Sequence, residues 1–333
     1  MEEKIGELYY RYFGVWPERV ELLPASGSAR KYYRIFSGQN SCIGVYHSNV
    51  GENRLFIDFS RHFREKGLHA PEIYAVSEDE QIYLQEDLGK EMLLEVVEKE
   101  RKGKELTFAL MQLYKKALDE LLRFQLLGHQ GMDYSFCSPR PVFDRRCMLW
   151  DLNYFKYCFL RLAAADFSEE ALENDFQRLT DRLAAVPAEA FMFRDFQSRN
   201  IMVRREEVWF IDYQGGRQGA LLYDVASLLY DAIVGIPEHQ REELLDYYIG
   251  KLQQYRVIEV AAFREAYYHF VLIRLLQAMG AFGLRGLYER KQHFIDSIQP
   301  GLRNISALFE SGKLGDAYPE IRKVVDRLIK NSL

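Results

Sequence analysis

The sequence predicts an α+β protein of two lobes, a small β-rich lobe followed by a larger, mainly helical one. Three observations predict it. Apolar residues alternate with period two over residues 20–46 and again over 72–85. After the tetrapeptide EDLG (86–89) the period changes to that of helices. The helical part is interrupted once, by a hairpin with acids at its ends, FRDFQSRNIMV (193–203) and WFIDYQ (209–214).

The elements follow in order. Residues 2–13 carry Ile5, Leu8, Tyr9 and Tyr12 at helical spacing, and Gly14 and Pro17 stop that helix. Residues 20–23, 31–36 and 41–46 read as strands. SGQN (37–40) is a hairpin turn between the last two. An amphipathic helix over 54–66 closes at Gly67, and strands over 72–76 and 81–85 flank the acidic turn SEDE. Helices are expected over 91–100, 105–128, 150–165 and 168–185. After the hairpin they resume over 221–235, 238–254, 258–282, 287–297, 301–311 and 316–330. The hairpin itself reads as strands 201–203 and 208–211 about a four-residue polar turn, 204–207. The boundary near 86–90 divides the chain into lobes 1–88 and 89–333. No repeat or low-complexity tract interrupts this pattern.

Bulk properties narrow the function. At 333 residues the chain suits two closely joined lobes, and about 75% of its unfolded surface can be buried at that size. A net charge of −5 argues against nucleic-acid binding through a basic surface. No signal-peptide core opens the chain, and no stretch approaches the roughly 20 apolar residues of a membrane span. Cys42, Cys137, Cys147 and Cys158 contain no CxxC pair, so neither a zinc site nor a disulfide framework is expected. A cytoplasmic protein without nucleic-acid or membrane partners is the expectation. Oligomeric state is not legible. GxSxG and HExxH are absent, so hydrolase and zinc-protease readings lack support.

The hairpin carries the chemistry. Asp195 and Asn200 lie on either side of four residues, and Asp212 ends the second strand. Phosphoryl transfer needs a carboxylate to orient and accept the proton of an attacking hydroxyl, and oxygen ligands to hold Mg²⁺ on the nucleotide. Asp195 is the candidate base; Asn200 and Asp212 are the candidate metal ligands. The plainer reading of Asp195 is an Asx turn or a helix cap, and of Asp212 a strand-end turn acid. Position after the apolar run Trp209-Phe210-Ile211 favours a held, functional Asp212. Asp224 either hydrogen-bonds to the 193–200 loop and Arg194 or is a helix N-terminal acid favoured by the dipole. Asp231 reads as a solvent or rim acid, with an acid facing substrate as the alternative.

Nucleotide contacts are sought in the first lobe. ASGSARK (25–31) could wrap ATP phosphates with backbone N–H groups, notably at Ser26, Gly27 and Ser28, or could be a plain hairpin loop. Arg30, Lys31 and Arg34 are the nearest cations, and alternation puts two on one face and one on the other. Glu86, Asp87 and Leu88 at the boundary could present backbone groups to adenine. Arg199, Arg217 and Arg274 are candidate substrate cations, should the acceptor be an acidic small molecule.

From about residue 20 to 300 the chain resembles the aminoglycoside phosphotransferase and choline-kinase-like superfamily, whose fold is protein-kinase-like. The resemblance rests on RDFQSRNIM (194–202), IDYQGG (211–216) and GALLYDVASLL (219–229). SARKYYRI (28–35), GLHAPEIYA (67–75), EDLG and LLQAMGAFGLRGLYERK (275–291) resemble the anomeric sugar kinases that phosphorylate N-acetylmuramate and N-acetylglucosamine at C1 in cell-wall recycling. The resemblance implies Asp195 as base, Asn200 and Asp212 as Mg²⁺ ligands, and an ATP site between the lobes. Three departures stand out. Phe193 and Gln197 replace histidines common in relatives. The third strand, CIGVYH (42–47), lacks the cation that grips ATP phosphates, and the next helix lacks an acidic partner at the matching position near Phe56.

The expected activity is ATP- and Mg²⁺-dependent phosphorylation of a small-molecule hydroxyl, with an N-acetylated amino sugar as acceptor. An aminoglycoside or choline-type acceptor, or a nucleotide-binding pseudokinase, are the alternatives. A protein-serine kinase is disfavoured, because no APE-like segment follows Asp212.

Overall fold

The computed structural model describes residues 1–24 and 29–330. Helix α1 (Glu2–Phe13) ends on Gly14, whose left-handed φ of 76° breaks the helix. Strands β1 (Arg19–Leu22), β2 (Lys31–Ser37), β3 (Asn40–Tyr46), β4 (Ile73–Val76) and β5 (Ile82–Glu86) form an antiparallel sheet in the order β1-β2-β3-β5-β4. One face of this sheet packs Tyr33, Ile35, Cys42 and Leu84 under Ile5 and Tyr9 of α1. On the other face lies α2 (Val50–Glu65). It starts four residues earlier than the periodicity predicts, because the Asn49 side chain caps it by accepting from Glu52 N–H.

The remainder is mainly helical: α3 (Leu93–Glu100), α4 (Phe108–Arg123), α5 (Arg145–Phe155), α6 (Glu169–Ala184), α7 (Leu222–Leu229), α8 (Glu238–Leu252), α9 (Val260–Phe282), α10 (Gln292–Glu310) and α11 (Pro319–Lys330). Between α6 and α7 lie β6 (Ala190–Met192), β7 (Ile201–Arg204), β8 (Glu207–Phe210) and β9 (Arg217–Gly219), paired as β6-β9 and β7-β8.

Four expectations are corrected. The β7–β8 turn has two residues, Arg205 and Glu206, both with φ > 0, rather than four. Pro300 lies inside one continuous helix, α10, where two helices were expected. Helix α7 ends at Leu229 rather than near 235, and β9 had no counterpart in the sequence reading. The helical run Val260–Tyr288 has the length and apolar composition of a membrane span, against the expectation of none. About 61% of its most apolar window is buried inside the protein, against α5, α7 and α10. Gly283 lets that run cross the chain at Cys158 so closely that a Cβ would overlap the Cys158 carbonyl.

The apolar core is continuous past the 86–90 boundary. One cluster joins Ile43 and Val45 of the sheet and Phe56, Phe59 and Phe63 of α2 to Phe124, Phe191, Phe193 and Tyr213 of the helical part. Phe63 sits at its centre, fully buried, with ring centroids of Phe124, Phe191 and Tyr213 at 4.6, 4.9 and 5.3 Å. Polar ties reinforce the junction. Arg34 pairs with Asp87 at 2.8 Å and donates to Gly89 O at 2.6 Å. Arg204 pairs with Glu86 at 2.6 Å, and Val203 N–H donates to Glu91 O at 2.8 Å. Phe63→Ala should cost about 3–5 kcal/mol of stability, as large core aromatics do. Urea unfolding would check this, and a loss below about 1 kcal/mol would contradict the packing described.

Candidate active site

The loop between β6 and β7 turns sharply at Arg194, a non-glycine residue with φ 78°. Such a conformation is costly and persists only when its surroundings enforce it. Here they do. Phe193 and Arg194 N–H donate to the two carboxylate oxygens of Asp224, at 2.7 and 3.1 Å. The Arg194 guanidinium forms a two-point pair with Asp151 at 2.7 and 2.8 Å and donates to the Tyr223 hydroxyl at 3.2 Å. It also lies over the rings of Phe143 and Tyr223. Asp224 is fully buried, and burial pushes its carboxyl up to about 7 despite the two N–H donors and nearby Arg194 and Arg274.

Asp195 follows this turn with its side chain 59% exposed, its Oδ1 3.6 Å from the Arg274 guanidinium. The Asn200 amide Nδ2 donates to the Asp195 carbonyl at 2.8 Å, which leaves Oδ1 as the acceptor end of that side chain. Ile211 N–H donates to Asn200 O at 3.1 Å, so the next residue, Asp212, lies beside Asn200. Asp212 is itself left-handed, with φ 65°. Its neighbour Tyr213 holds it there: that ring is fully buried, stacks on Phe56 at 4.8 Å, and shares a 2.6 Å hydroxyl hydrogen bond with Ser60. Gly216 lets the following turn press onto Phe191, where a Cβ would overlap the ring.

Burial raises the Asp212 carboxyl above the ordinary range. Gln214, which donates at 2.7 Å, opposes the shift, Asp195 adds to it, and Arg30 opposes it. A half-buried carboxylate near a second carboxylate and the Asn200 side chain is a donor set suited to a hard divalent cation. Among the described residues no three His, Cys, Asp or Glu side chains converge on one point. That fits Mg²⁺, which takes one or two protein ligands and completes its shell with water and phosphate oxygens.

With this geometry in view, comparison with known proteins is informative. The sequence profile of the APH phosphotransferase enzyme family matches residues 20–259. The chain belongs to that family. It is 28% identical over 238 residues to an N-acetylmuramate/N-acetylglucosamine kinase of Pseudomonas aeruginosa, covering 69% of this chain and 66% of the relative, slightly under two thirds of its length. A Pseudomonas putida protein of the same name is 25% identical over 97% of this chain and 94% of its own. A solved choline/ethanolamine kinase family protein from Mesorhizobium loti superposes with a TM-score of 0.61 at 15% identity, covering 96% of this chain and 98% of that one. That likeness shows the two-lobed, kinase-like fold.

The phosphotransferase's remaining candidates separate in space. Arg30 has a buried side chain, lies 3.4 Å from Glu52 of α2, and feels the charge of Asp212. The matching position near Phe56 holds no acid, and Glu52, one turn before it on α2, is the acid that Arg30 meets. His47 Nδ1 lies 3.7 Å from the same carboxylate. Lys31 is exposed, and Arg34 is committed to Asp87 and Gly89. Ser26, Gly27 and Ser28 lie outside the described residues. The Glu86 and Asp87 side chains are occupied by Arg204 and Arg34, and Leu88 is buried.

Arg217 is not at the cleft. It is buried on β9, donating to Ser138 O and Gly215 O at 3.0 and 3.1 Å, and burial lowers its pKa. Arg199 and Arg274 do line a cleft beside Asp195, with Gln197, Ser227, Tyr230 and Asp231. Asp231 is 9% exposed rather than a rim acid, and it accepts Ser198 N–H at 3.4 Å and Ile233 N–H at 3.1 Å. Asp151, Glu52 and Asp231 were missed as site residues. Asp151 had a signal: it sits on the apolar stripe of α5 with Met148, Leu152 and Phe155.

Asp224 gives a pH prediction. In the unfolded chain it ionises near 3.8, and in the folded protein near 7. Between those values the folded state keeps a proton that the unfolded chain releases, so this group lowers stability as pH rises from about 4 to about 7. Asp224→Asn removes that slope. Its urea midpoint relative to the parent should rise across this range, and parallel pH profiles would refute the assignment.

Proposed function

We propose that this phosphotransferase moves the γ-phosphoryl group of ATP to a hydroxyl of an N-acetylated amino sugar, N-acetylmuramate or N-acetylglucosamine. The observation that carries the reading is the open Asp195 carboxylate, near Asn200 and Asp212 and 3.6 Å from Arg274, which with Arg199 lines the adjoining cleft. Relatives of both Pseudomonas species carry that substrate name. A cationic acceptor such as choline or an aminoglycoside would want a surplus of acids in the cleft, and the two arginines oppose it.

In this reading Asp195 orients the sugar hydroxyl and accepts its proton as the new O–P bond forms and the β–γ bridge breaks, releasing ADP. Asn200 Oδ1 and the Asp212 carboxylate would hold Mg²⁺, which would supply charge neutralisation to the transferring phosphoryl group. Arg274 fixes the Asp195 carboxylate from one side. Arg30 supplies the phosphate cation that β3 lacks, with Glu52 positioning it as an acid on the equivalent helix of other kinases does. Residues 1–88 form the nucleotide lobe, residues 89–333 carry the acceptor and the catalytic groups, and the backbone at Glu86–Leu88 borders adenine. The four free cysteines suit a reducing compartment.

An ATP-consumption screen over amino sugars, choline and an aminoglycoside tests the substrate. Turnover with the amino sugars is expected. ATP binding by thermal shift without turnover across the panel would favour a non-catalytic nucleotide-binding protein. Asp195→Asn should lower kcat by about 10²–10⁴ while ATP still binds. Near-parental turnover in that variant would remove Asp195 as base. Arg30→Met should raise the KM for ATP about tenfold or more, the worth of one charge-assisted contact. An unchanged KM and kcat would assign the phosphate grip elsewhere.

A further inference from the structure

The cleft beside Asp195 is bounded by residues from four elements, among them Gly301 of α10. Gln197 and Arg199 come from the catalytic loop, Tyr230 and Asp231 from the end of α7, and Arg274, Leu275 and Phe282 from α9. A sugar whose hydroxyl meets Asp195 reaches this cleft past Arg274, which borders both.

Charge decides which sugar substituent the cleft takes. Arg274 is already held: it donates to Ser227 Oγ at 2.9 Å and Gln277 Oε1 at 2.7 Å and faces Asp195. Asp231 is compensated by two backbone N–H groups. Arg199 is different. Among the described residues no carboxylate lies within ion-pair distance of it, and its buried Nε has no hydrogen-bond partner. A half-buried guanidinium with a buried, unused donor is costly unless a ligand completes it. Arginine's planar fork is suited to a carboxylate.

We infer that Arg199 is the carboxylate-reading residue of the acceptor site, so that the cleft selects an amino sugar bearing an acidic ether substituent over its neutral counterpart. This rests on the amino-sugar reading above and adds to it the residue that discriminates between the two sugars. Asp231 is held by backbone N–H donors and Arg274 faces Asp195, which leaves Arg199 as the cleft cation with no carboxylate within ion-pair distance among the described residues. The expected preference is for N-acetylmuramate over N-acetylglucosamine.

The test compares kcat/KM for N-acetylmuramate and N-acetylglucosamine in the parent, Arg199→Gln and Arg199→Lys. The parent should prefer the acidic sugar. Arg199→Gln should lower that preference by about 10- to 100-fold, mainly through KM for the acid, as loss of a charged hydrogen bond predicts. Arg199→Lys, which keeps the charge and loses the fork, should retain part of the preference, and it separates a folding defect from a lost contact. An equal loss on both sugars in Arg199→Gln, or no loss on either, overturns the inference. A thermal-shift arm with d-lactate, the carboxylate-bearing piece of the acidic sugar, stands apart from turnover. If the parent phosphorylates neither sugar, the substrate reading falls. The Arg199 site then stands if d-lactate stabilises the parent and not Arg199→Gln, and falls if it stabilises neither or both alike.

Discussion

The buried Arg194–Asp151 pair, together with Asp224, is the constraint on which the site depends. Arg194 must turn left-handed for Asp195 to leave the core and face the cleft. Two carboxylates from different helices enforce that turn. Asp151 of α5 takes the guanidinium, and Asp224 of α7 takes the backbone N–H groups. Such a pair is a poor source of net stability, because desolvation cancels much of the attraction. Its value lies in making the alternative expensive: removing one partner strands a buried charge, at a cost of about 3–5 kcal/mol. The backbone strain at the catalytic loop is thus held by helices that never touch the reacting atoms.

The same logic recurs wherever a cation approaches the site. Arg30 comes with Glu52, Arg34 with Asp87, Arg204 with Glu86 and Arg274 with Asp195. Arg34 ties the sheet to the linker and Arg204 ties the linker to the helical part, while Arg30 feels the charge of Asp212 and Arg274 lies beside Asp195. The aromatic load has a parallel role. Phe56 of α2 stacks on Tyr213, so the residue after Asp212 is packed against the helix that carries Glu52. Packing thus couples Asp212 to the helix whose Glu52 pairs with Arg30.

Most of the fold was legible because it follows from local periodicity. The five-stranded sheet, α2, α4 and α6 have apolar residues at the spacing of their element, and α9 is legible as one long apolar run whose middle is buried on all sides. The errors fall where another term outweighed local pattern. Asn49 extended α2 by capping it. Arg205 and Glu206 accept positive φ and shorten a turn that composition made look longer. Pro300 is carried inside α10, whose buried face, Ile298, Leu302 and Ile305, packs on both sides of it. The run Val260–Tyr288 has the length and apolar composition of a membrane span although none was expected, and its neighbours bury most of its apolar window.

The sequence by itself determined the spacing of Asp195, Asn200 and Asp212, the change from sheet to helix, and the absence of a cation on β3. These are properties of residue order, and they survive any rearrangement of distant segments. Only the tertiary structure decided which charges meet. Arg30 rather than Lys31 or Arg34 faces Asp212. Glu52 is its partner, and Arg217 is buried away from a cleft that Arg199 and Arg274 share. Ion pairing depends on distances between residues far apart in the chain, and a linear pattern carries no information about them. That reason also moved Asp195 from one acid in a recurring spacing to a carboxylate held at the mouth of a cleft.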